Sequence, residues 1–419
     1  MRILQICTGV GEGGAFRAAY WVHLAVRAAG HDSTMFVLAD SYGHPHVQVF
    51  RPPTDFSSRL RRRWRQEQIS LAFRKYKSSR FPGAEIFSDD RTEHGAALLT
   101  QIPGAEVITL HWISGMVDYQ AILAPLSQRA PLVWKLDDMN PFTGGCHYDL
   151  GCGRFKESCG LCPQLGSNGV SDLSRQIWKR KRAVFDLIDP KRLHLVVNNQ
   201  WMASQVRSSS LLRDFPLSII PNGLNTNDFF PRDHRLARDL LGLPLDANIL
   251  LFISCSLENR RKGAMEIKKA LAGLAGYPNL FLATLGCGSV FNDSPIPYVN
   301  LGTIFNDRAF QLVYNAADLL VIPSLEDNMP NTVVEALACG TPVVGFQAGG
   351  IPEMVRPGIT GLLAPVGDAA ALGRAIVELL EAPDKRQEMS QSCRRIAVEE
   401  YSLETLGRNY SQLYQKIAG

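Results

Sequence analysis

Short apolar runs, each stopped by a polar turn with glycine or proline, alternate along this chain with longer stretches whose apolar positions recur at helical spacing. Residues 2–7, 106–110, 132–136, 193–198, 249–253, 319–322 and 342–346 are such runs. Runs this short, rich in branched residues and without polar alternation, read as strands buried on both faces. Helices are expected at about 15–30, 172–188, 332–338, 368–381 and 402–417. The fold class expected is therefore α/β, with ligands at the carboxyl edge of an open parallel sheet.

The candidate chemistry concentrates in residues 317–353. The run Leu319-Leu320-Val321-Ile322 stops at Pro323-Ser324, and the polar loop Glu326-Asp327-Asn328-Met329-Pro330-Asn331 follows. A helix is predicted from Thr332, with Gly340 past its end. A second strand then leads to Gly349-Gly350 and Glu353. Free N–H groups at a helix start attract phosphate, whereas carboxylates beside them suit sugar hydroxyls. A nucleotide sugar needs both kinds of partner. The competing reading is structural: Thr332-x-x-Glu335 fits a capping box, in which Glu335 only bonds the Thr332 N–H.

The segment from Pro323-Ser324-x-x-Asp327 through Glu335-Ala336-Leu337-Ala338-Cys339-Gly340-Thr341-Pro342-Val343-Val344 to Gly349-Gly350-Ile351-Pro352-Glu353 resembles glycosyltransferase family 4. The resemblance implies a GT-B fold, two facing Rossmann-like domains with a cleft between them, and a retaining, metal-independent transferase. It places the family's pair of acids, eight positions apart, on Asp327 and Glu335. The first touches the transferred sugar and Glu335 the nucleotide ribose, with Asn331 and Thr332 at the donor. Asp327 departs from the usual Glu, and Glu326 is positioned to share its role. Lys262 falls on the phosphate-binding lysine. The arginine expected about six residues earlier is Ser256 here, so Arg260 or Arg261 takes its place. Gly13, Gly14 and Arg17, in the turn Thr8-Gly9-Val10-Gly11-Glu12-Gly13-Gly14 and the helix after it, fall where the family contacts the donor diphosphate. His111 falls on a strand-end histidine near the donor sugar.

The stretch Asp137-Asp138-Met139-Asn140-Pro141-Phe142-Thr143-Gly144-Gly145-Cys146-His147-Tyr148 is similar to a subgroup acting on surface polysaccharides and colanic-acid-type polymers. That subgroup has His at 137 and Trp at 140, so Asp137 and Asn140 depart. The acceptor-side candidates are Asp137, Asp138 and His147.

At 419 residues the chain exceeds one core, and two domains are expected: 1–196, joined by the last helix at about 402–419, and 197–401. No run approaches the roughly 20 apolar residues of a membrane span, and the N-terminus reads as a strand, not a signal peptide. Nine cysteines without an export signal imply reduced thiols and a cytoplasmic protein. Charge is uneven: residues 1–196 carry 25 Lys and Arg against 18 Asp and Glu, the remainder 19 against 22. The most basic stretch is 59–80, with apolar residues interleaved at roughly helical spacing. A basic amphipathic helix suits an anionic membrane surface; the alternative is a solvated helix with its apolar side on the core. Nucleic acid is not expected, because no reading motif accompanies the charge. Lys179-Arg180-Lys181-Arg182 reads as further basic surface.

Cys146, Cys152, Cys159 and Cys162 lie within 17 residues. Four thiolates suit a structural zinc ion; an iron–sulfur cluster or free thiols are the alternatives, since only one C-x-x-C is present. No cofactor is expected in catalysis. The function implied is a retaining glycosyltransferase moving a sugar from a UDP- or GDP-sugar to a growing surface glycan, lipid-linked acceptors included. The rivals are a GT-B relative with other chemistry (epimerase or phosphorylase) and a non-catalytic binding protein.

Overall fold

The computed structural model describes residues 1–9, 13–40, 43–81, 83–304 and 306–418. Among them, thirteen strands form two all-parallel sheets. The first holds β1 (Arg2–Cys7), β2 (Asp32–Val37), β3 (Val47–Val49), β4 (Val107–Leu110), β5 (Leu132–Leu136), β6 (Leu193–Val197) and β7 (Leu217–Ile219), ordered β3-β2-β1-β4-β5-β6-β7. The second holds β8 (Asn248–Ser256), β9 (Leu280–Cys287), β10 (Tyr298–Asn300), β11 (Leu319–Ile322), β12 (Val343–Phe346) and β13 (Gly361–Ala364), ordered β10-β9-β8-β11-β12-β13. Both orders are Rossmann-type and reverse once, between β1 and β4 and between β8 and β11. That reversal opens a crevice at the carboxyl ends of the strands.

The chain divides into two compact units, Met1–Ile220 with Leu406–Gly419, and Pro221–Thr405. The expected boundary at 196/197 moves. Leu193–Val197 pairs in register with Leu132–Leu136, and Leu195–Val197 with Leu217–Ile219, so both strands complete the first sheet. Nothing in the local sequence marks this, because a fully buried strand looks alike in either sheet.

Central strands carry no exposed position: β4, β5, β6, β11 and β12 are buried throughout. Asp118, Asp172, Asn199, Asp233, Asn306 and Asp368 each cap a helix by accepting the N–H three residues on, which satisfies a donor left open by the helix start. The helix Leu403–Ala418 packs closely on the first unit: a Cβ at Gly407 would stand 2.4 Å from the Ala25 carbonyl oxygen. The Tyr414 hydroxyl lies 2.7 Å from Thr109 Oγ1 on β4. A helix at Pro383–Tyr401, absent from the sequence reading, precedes it.

The two basic segments are placed differently. The helix Phe56–Arg74 fully buries none of its residues, and Phe56, Leu60, Trp64 and Leu71 stand exposed; at its C-terminal end half-buried Ala72 and Phe73 pack on a small core cluster. The run 179–182 is not simply surface. In the helix Leu173–Phe185, Ile177, Lys181 and Val184 form one buried face, and Lys181 is completely covered. The i, i+4, i+7 spacing assigns Lys181 to that face. Arg180 turns to Asp89 (2.9 Å) and Asp90.

Candidate active site

In the second unit, the loops leaving β8 and β11 are built against each other. After β8 the chain makes a turn at Arg260–Lys262 and reaches Gly263 with φ +77°. A Cβ there would stand 1.8 Å from the Pro323 carbonyl oxygen at the end of β11, so only glycine allows the approach. The Leu325 N–H donates to the Arg261 carbonyl at 2.8 Å. Gly349, after β12, has φ +57°, and its Cβ would meet the Asp327 carbonyl oxygen at 1.8 Å. That same oxygen accepts from the Gly350 N–H at 2.9 Å. The Asp327 backbone is thus held from the β12 side, and its loop, at Pro323 and Leu325, from the β8 side.

Its side chain holds the cations. Lys262 Nζ donates to Asp327 Oδ2 at 2.7 Å, Arg261 Nη1 lies 3.4 Å from Oδ1, and Ser324 Oγ donates at 3.3 Å. Arg261 also donates to the Glu326 carbonyl at 2.9 Å. Burial pushes the Asp327 carboxyl up, but Lys262 and Arg261 outweigh it and hold the group at about 2. Asp327, Lys262 and Arg261 therefore meet at one point. Glu326, half-buried, places its carbonyl there.

The helix after the loop is Asn331–Ala338, with Pro330 at its N-cap and no side-chain cap bond. Thr332 is inside the helix, so the capping-box reading fails: its geometry requires Thr332 one step before the helix. Glu335 is 1% exposed and accepts the Tyr314 hydroxyl at 2.7 Å. Asn331 Oδ1 accepts from Asn222 Nδ2 at 3.1 Å. Neither Tyr314 nor Asn222 was legible as a partner, since both are distant in sequence.

In the first unit, residues 10–12 of the glycine turn lie outside the described residues. Gly13 is extended (φ 176°) and Gly14 begins a helix; among the described residues a Cβ at Gly13 would meet nothing within 4 Å. Arg17 lies over the Trp21 ring at 4.9 Å. His111, at the end of β4, is 1% exposed and shares a hydrogen bond of 2.8 Å with Gln5. Burial, then Lys135, holds its ring well below the usual histidine range. It is a covered neutral imidazole, not one presented to solvent.

The loop after β5 forms a chain of bonds. Asp138 Oδ2 lies 2.6 Å from His147 Nδ1 and accepts Trp112 Nε1 at 2.9 Å, while His147 Nε2 lies 2.8 Å from Ser88 Oγ. Although burial raises the Asp138 carboxyl, His147 and the other donors bring it below its ordinary value. Ser88 and Trp112 complete a relay the sequence did not disclose. Asp137 is set apart from it: its carboxylate pairs with the fully buried Lys135 and accepts Asn198 Nδ2 at 3.3 Å. Cys146, Cys152, Cys159 and Cys162 line one small cavity in the same unit.

Residues 251–382 match the family model described as Glycosyl transferases group 1. D-inositol 3-phosphate glycosyltransferase of Mycobacterium leprae (strain Br4923) is 32% identical over 186 residues, covering 40% of this chain and 41% of that protein. The chain thus spans less than half the length of that relative. Sucrose-phosphate synthase from Thermosynechococcus elongatus has 22% identity and a TM-score of 0.67, over 99% of this chain and 98% of that one. Anabaena Alr3699/HepE in complex with UDP-glucose has 18% identity and a TM-score of 0.66, over 99% and 100%. The fold is GT-B, with two parallel sheets of Rossmann-like type.

Proposed function

We propose that this protein is a retaining, metal-independent glycosyltransferase of family 4, moving a sugar from a UDP- or GDP-sugar to a growing, lipid-linked surface glycan of the colanic-acid-type subgroup. The observation that carries the reading is the cluster of buried Asp327 and Arg261 with half-buried Lys262 at the strand-order reversal of the second sheet. Lys262 and Arg261 converge on this one carboxylate, so a diphosphate arriving there meets two cations at once. A diphosphate draws Lys262 and Arg261 to itself and frees Asp327 for a sugar hydroxyl. As the bond from sugar to diphosphate breaks, negative charge grows on the leaving oxygen, and the fixed cations stabilise it. The acceptor hydroxyl gives its proton to that oxygen on the same face of the sugar. Glu335 takes the ribose, aimed by Tyr314. His111 serves the donor sugar, and Gly13, Gly14 and Arg17 the diphosphate. The Asp138–His147 pair serves the acceptor. The group 1 match over 251–382 and the UDP-glucose bound to HepE support a nucleotide-sugar donor.

The test is a thermal-shift panel of UDP- and GDP-sugars followed by nucleotide release with a glycan acceptor. A donor that binds only the folded state raises its melting temperature. Stabilisation without nucleotide release indicates a binding protein instead. The reading also places the protein on the cytoplasmic face of a membrane, through the helix Phe56–Arg74. Its exposed Phe56, Leu60 and Trp64 alternate with exposed Arg59, Arg61 and Arg63. Arg65 is excluded, because it pairs with Asp118. Reversing Arg59, Arg61 and Arg63 to Glu removes about 1 kcal/mol of attraction per residue and should abolish binding to anionic vesicles. Binding that survives reversal or high salt refutes the surface. No helix among the described residues is long and apolar enough to cross a membrane.

A further inference from the structure

The four clustered cysteines have no part in the proposed reaction, yet the chain is shaped around them. The segment that carries them has little regular structure, only turns at Asn140–Phe142, Arg154–Lys156 and Pro163–Leu165. Cys146, Cys152, Cys159 and Cys162 nevertheless line a single cavity of about 20 Å³, with Arg154 and Phe155 on its wall. That is room for one water-sized or metal-sized occupant.

The backbone points a donor at one of the sulfurs: the Gly144 N–H donates to Cys159 Sγ at 3.1 Å, while the Leu165 N–H takes the Cys162 carbonyl at 3.2 Å. Neutral thiols accept weakly, whereas thiolates are strong acceptors. Two close approaches are spent on the same arrangement. A Cβ at Gly144 would stand 2.7 Å from Cys159 Cβ, and one at Gly160 (φ +134°) would stand 2.6 Å from the Val170 carbonyl oxygen. A positive group lies behind the loop: buried Lys181 donates to the Asn140 and Thr143 carbonyls. Every cysteine is a free thiol.

We propose that Cys146, Cys152, Cys159 and Cys162 hold one structural zinc ion. Four sulfur donors with no water-bearing position match a closed tetrahedral site, which does no chemistry of its own. Binding releases four thiol protons to solvent and changes no oxidation state. Arg154 and Lys181 offset the net negative charge of the tetrathiolate. As the loop stands, no three His, Cys, Asp or Glu side chains among the described residues are close enough to ligate an ion, so the sulfurs ring the cavity without meeting. Binding therefore draws more than one sulfur inward, and the one with most room to move is Cys152. It is the half-exposed member, set between Gly151 (φ +78°) and Gly153 (φ +68°), both with open space around them. The ion would brace the acceptor-side loop. The Gly145 carbonyl, beside Cys146, accepts the Ser88 N–H and Asn140 Nδ2, each at 2.8 Å, and Ser88 holds His147. The site does not depend on the glycosyltransferase reading.

Metal analysis of the full chain purified without chelator tests it. The expected result is about one equivalent of zinc, with four of the nine thiols titrating only after a chelator strips the metal. Cys152→Ser and Cys159→Ser should lose the ion, while Cys255→Ser, an exposed thiol elsewhere, keeps it. Should either variant fail to fold, cobalt exchanged into the wild-type protein gives a second readout: the strong visible absorption of a tetrahedral tetrathiolate. Less than a few tenths of an equivalent of metal, with these thiols free or joined as disulfides, overturns the site. Iron with acid-labile sulfide overturns zinc as its occupant.

Discussion

The two sheets share one strand order and reverse it at the same step, between β1 and β4 in one and between β8 and β11 in the other. What lies at the two reversals is opposite in kind. The second sheet sets buried Arg261 and Asp327 with half-buried Lys262 in a charged cluster, clamped by Gly263 and Gly349. At the first, the open Gly13 stands with a covered neutral imidazole, His111, held by Gln5. Topology fixes where a ligand can enter; the loop residues decide which ligand.

The sharpest way to break this contrast is to add one methyl group to each region. Gly349→Ala or Gly263→Ala puts a Cβ 1.8 Å from a carbonyl oxygen in left-handed backbone. Strain and overpacking together should cost roughly 2–5 kcal/mol and remove the donor-induced thermal shift. Gly13→Ala, extended and open, should stay within about 0.5 kcal/mol of wild type. Urea midpoints of the three variants check it, and equal losses would show that both regions are ordinary turns.

Lys262→Met tests the charge itself. It removes the nearer cation from Asp327 and from a leaving diphosphate. Turnover should fall about a hundred- to a thousandfold, as when a preorganised oxyanion donor is removed. Lys262→Arg should restore part of it. Single-turnover measurement separates this from a loss of binding, and an unchanged chemical rate would remove Lys262 from the mechanism. Glu335→Gln is a smaller step. It keeps the shape and a bond to Tyr314, and loses one charged partner worth about 1.5–3 kcal/mol, so turnover should fall ten- to hundredfold. Because Thr332 is not the N-cap, this effect cannot be assigned to a lost capping box.

Much of the second unit's site was legible because it is local. Lys262 and Asp327 sit in two short loops, each next to its own strand, and a run such as Leu319–Ile322 announces where the loop begins. The first unit was harder to read. Its site is made by long-range closure: Ser88 reaches His147, Trp112 reaches Asp138, and Gln5 reaches His111. Asp137 looked like a substitution at an acceptor contact, yet it faces the buried Lys135 in the middle of β5. A lysine inside an apolar strand was the available signal, since a buried charge needs a partner. Lys181 was hidden in a basic run, where only the helical spacing of Ile177, Lys181 and Val184 separates a buried position from its solvated neighbours.

The mildest way to sharpen the comparison is acid. In the first unit His23 is lowered to about 4, mainly by burial and then by Arg27 and His46, and its Nδ1 lies 3.0 Å from Ser33 Oγ. His111 is lowered as well, by burial and then by Lys135. An unfolded histidine titrates near 6.5, so below that pH the unfolded chain binds protons that these buried rings refuse. Stability is therefore complete above about pH 6.5 and falls as pH drops toward the folded values, by about 1.4 kcal/mol per pH unit for each such ring. Asp327 behaves differently. Its folded value of about 2 lies below the unfolded carboxylate range, so its contribution is intact above about pH 4 and is lost only as pH falls through 2. Between pH 6.5 and 4.5 the second unit keeps its charged trio, and the lowered histidine found there is His234. Hydrogen exchange followed by peptide mass analysis should show protection falling first around His23 and His111, while peptides spanning 319–338 hold. His23→Gln, which keeps a polar partner for Ser33 and cannot titrate, should flatten the slope of the first unit by one histidine's worth. A slope unchanged by that substitution, or earlier loss in peptides 319–338, would place the acid sensitivity elsewhere.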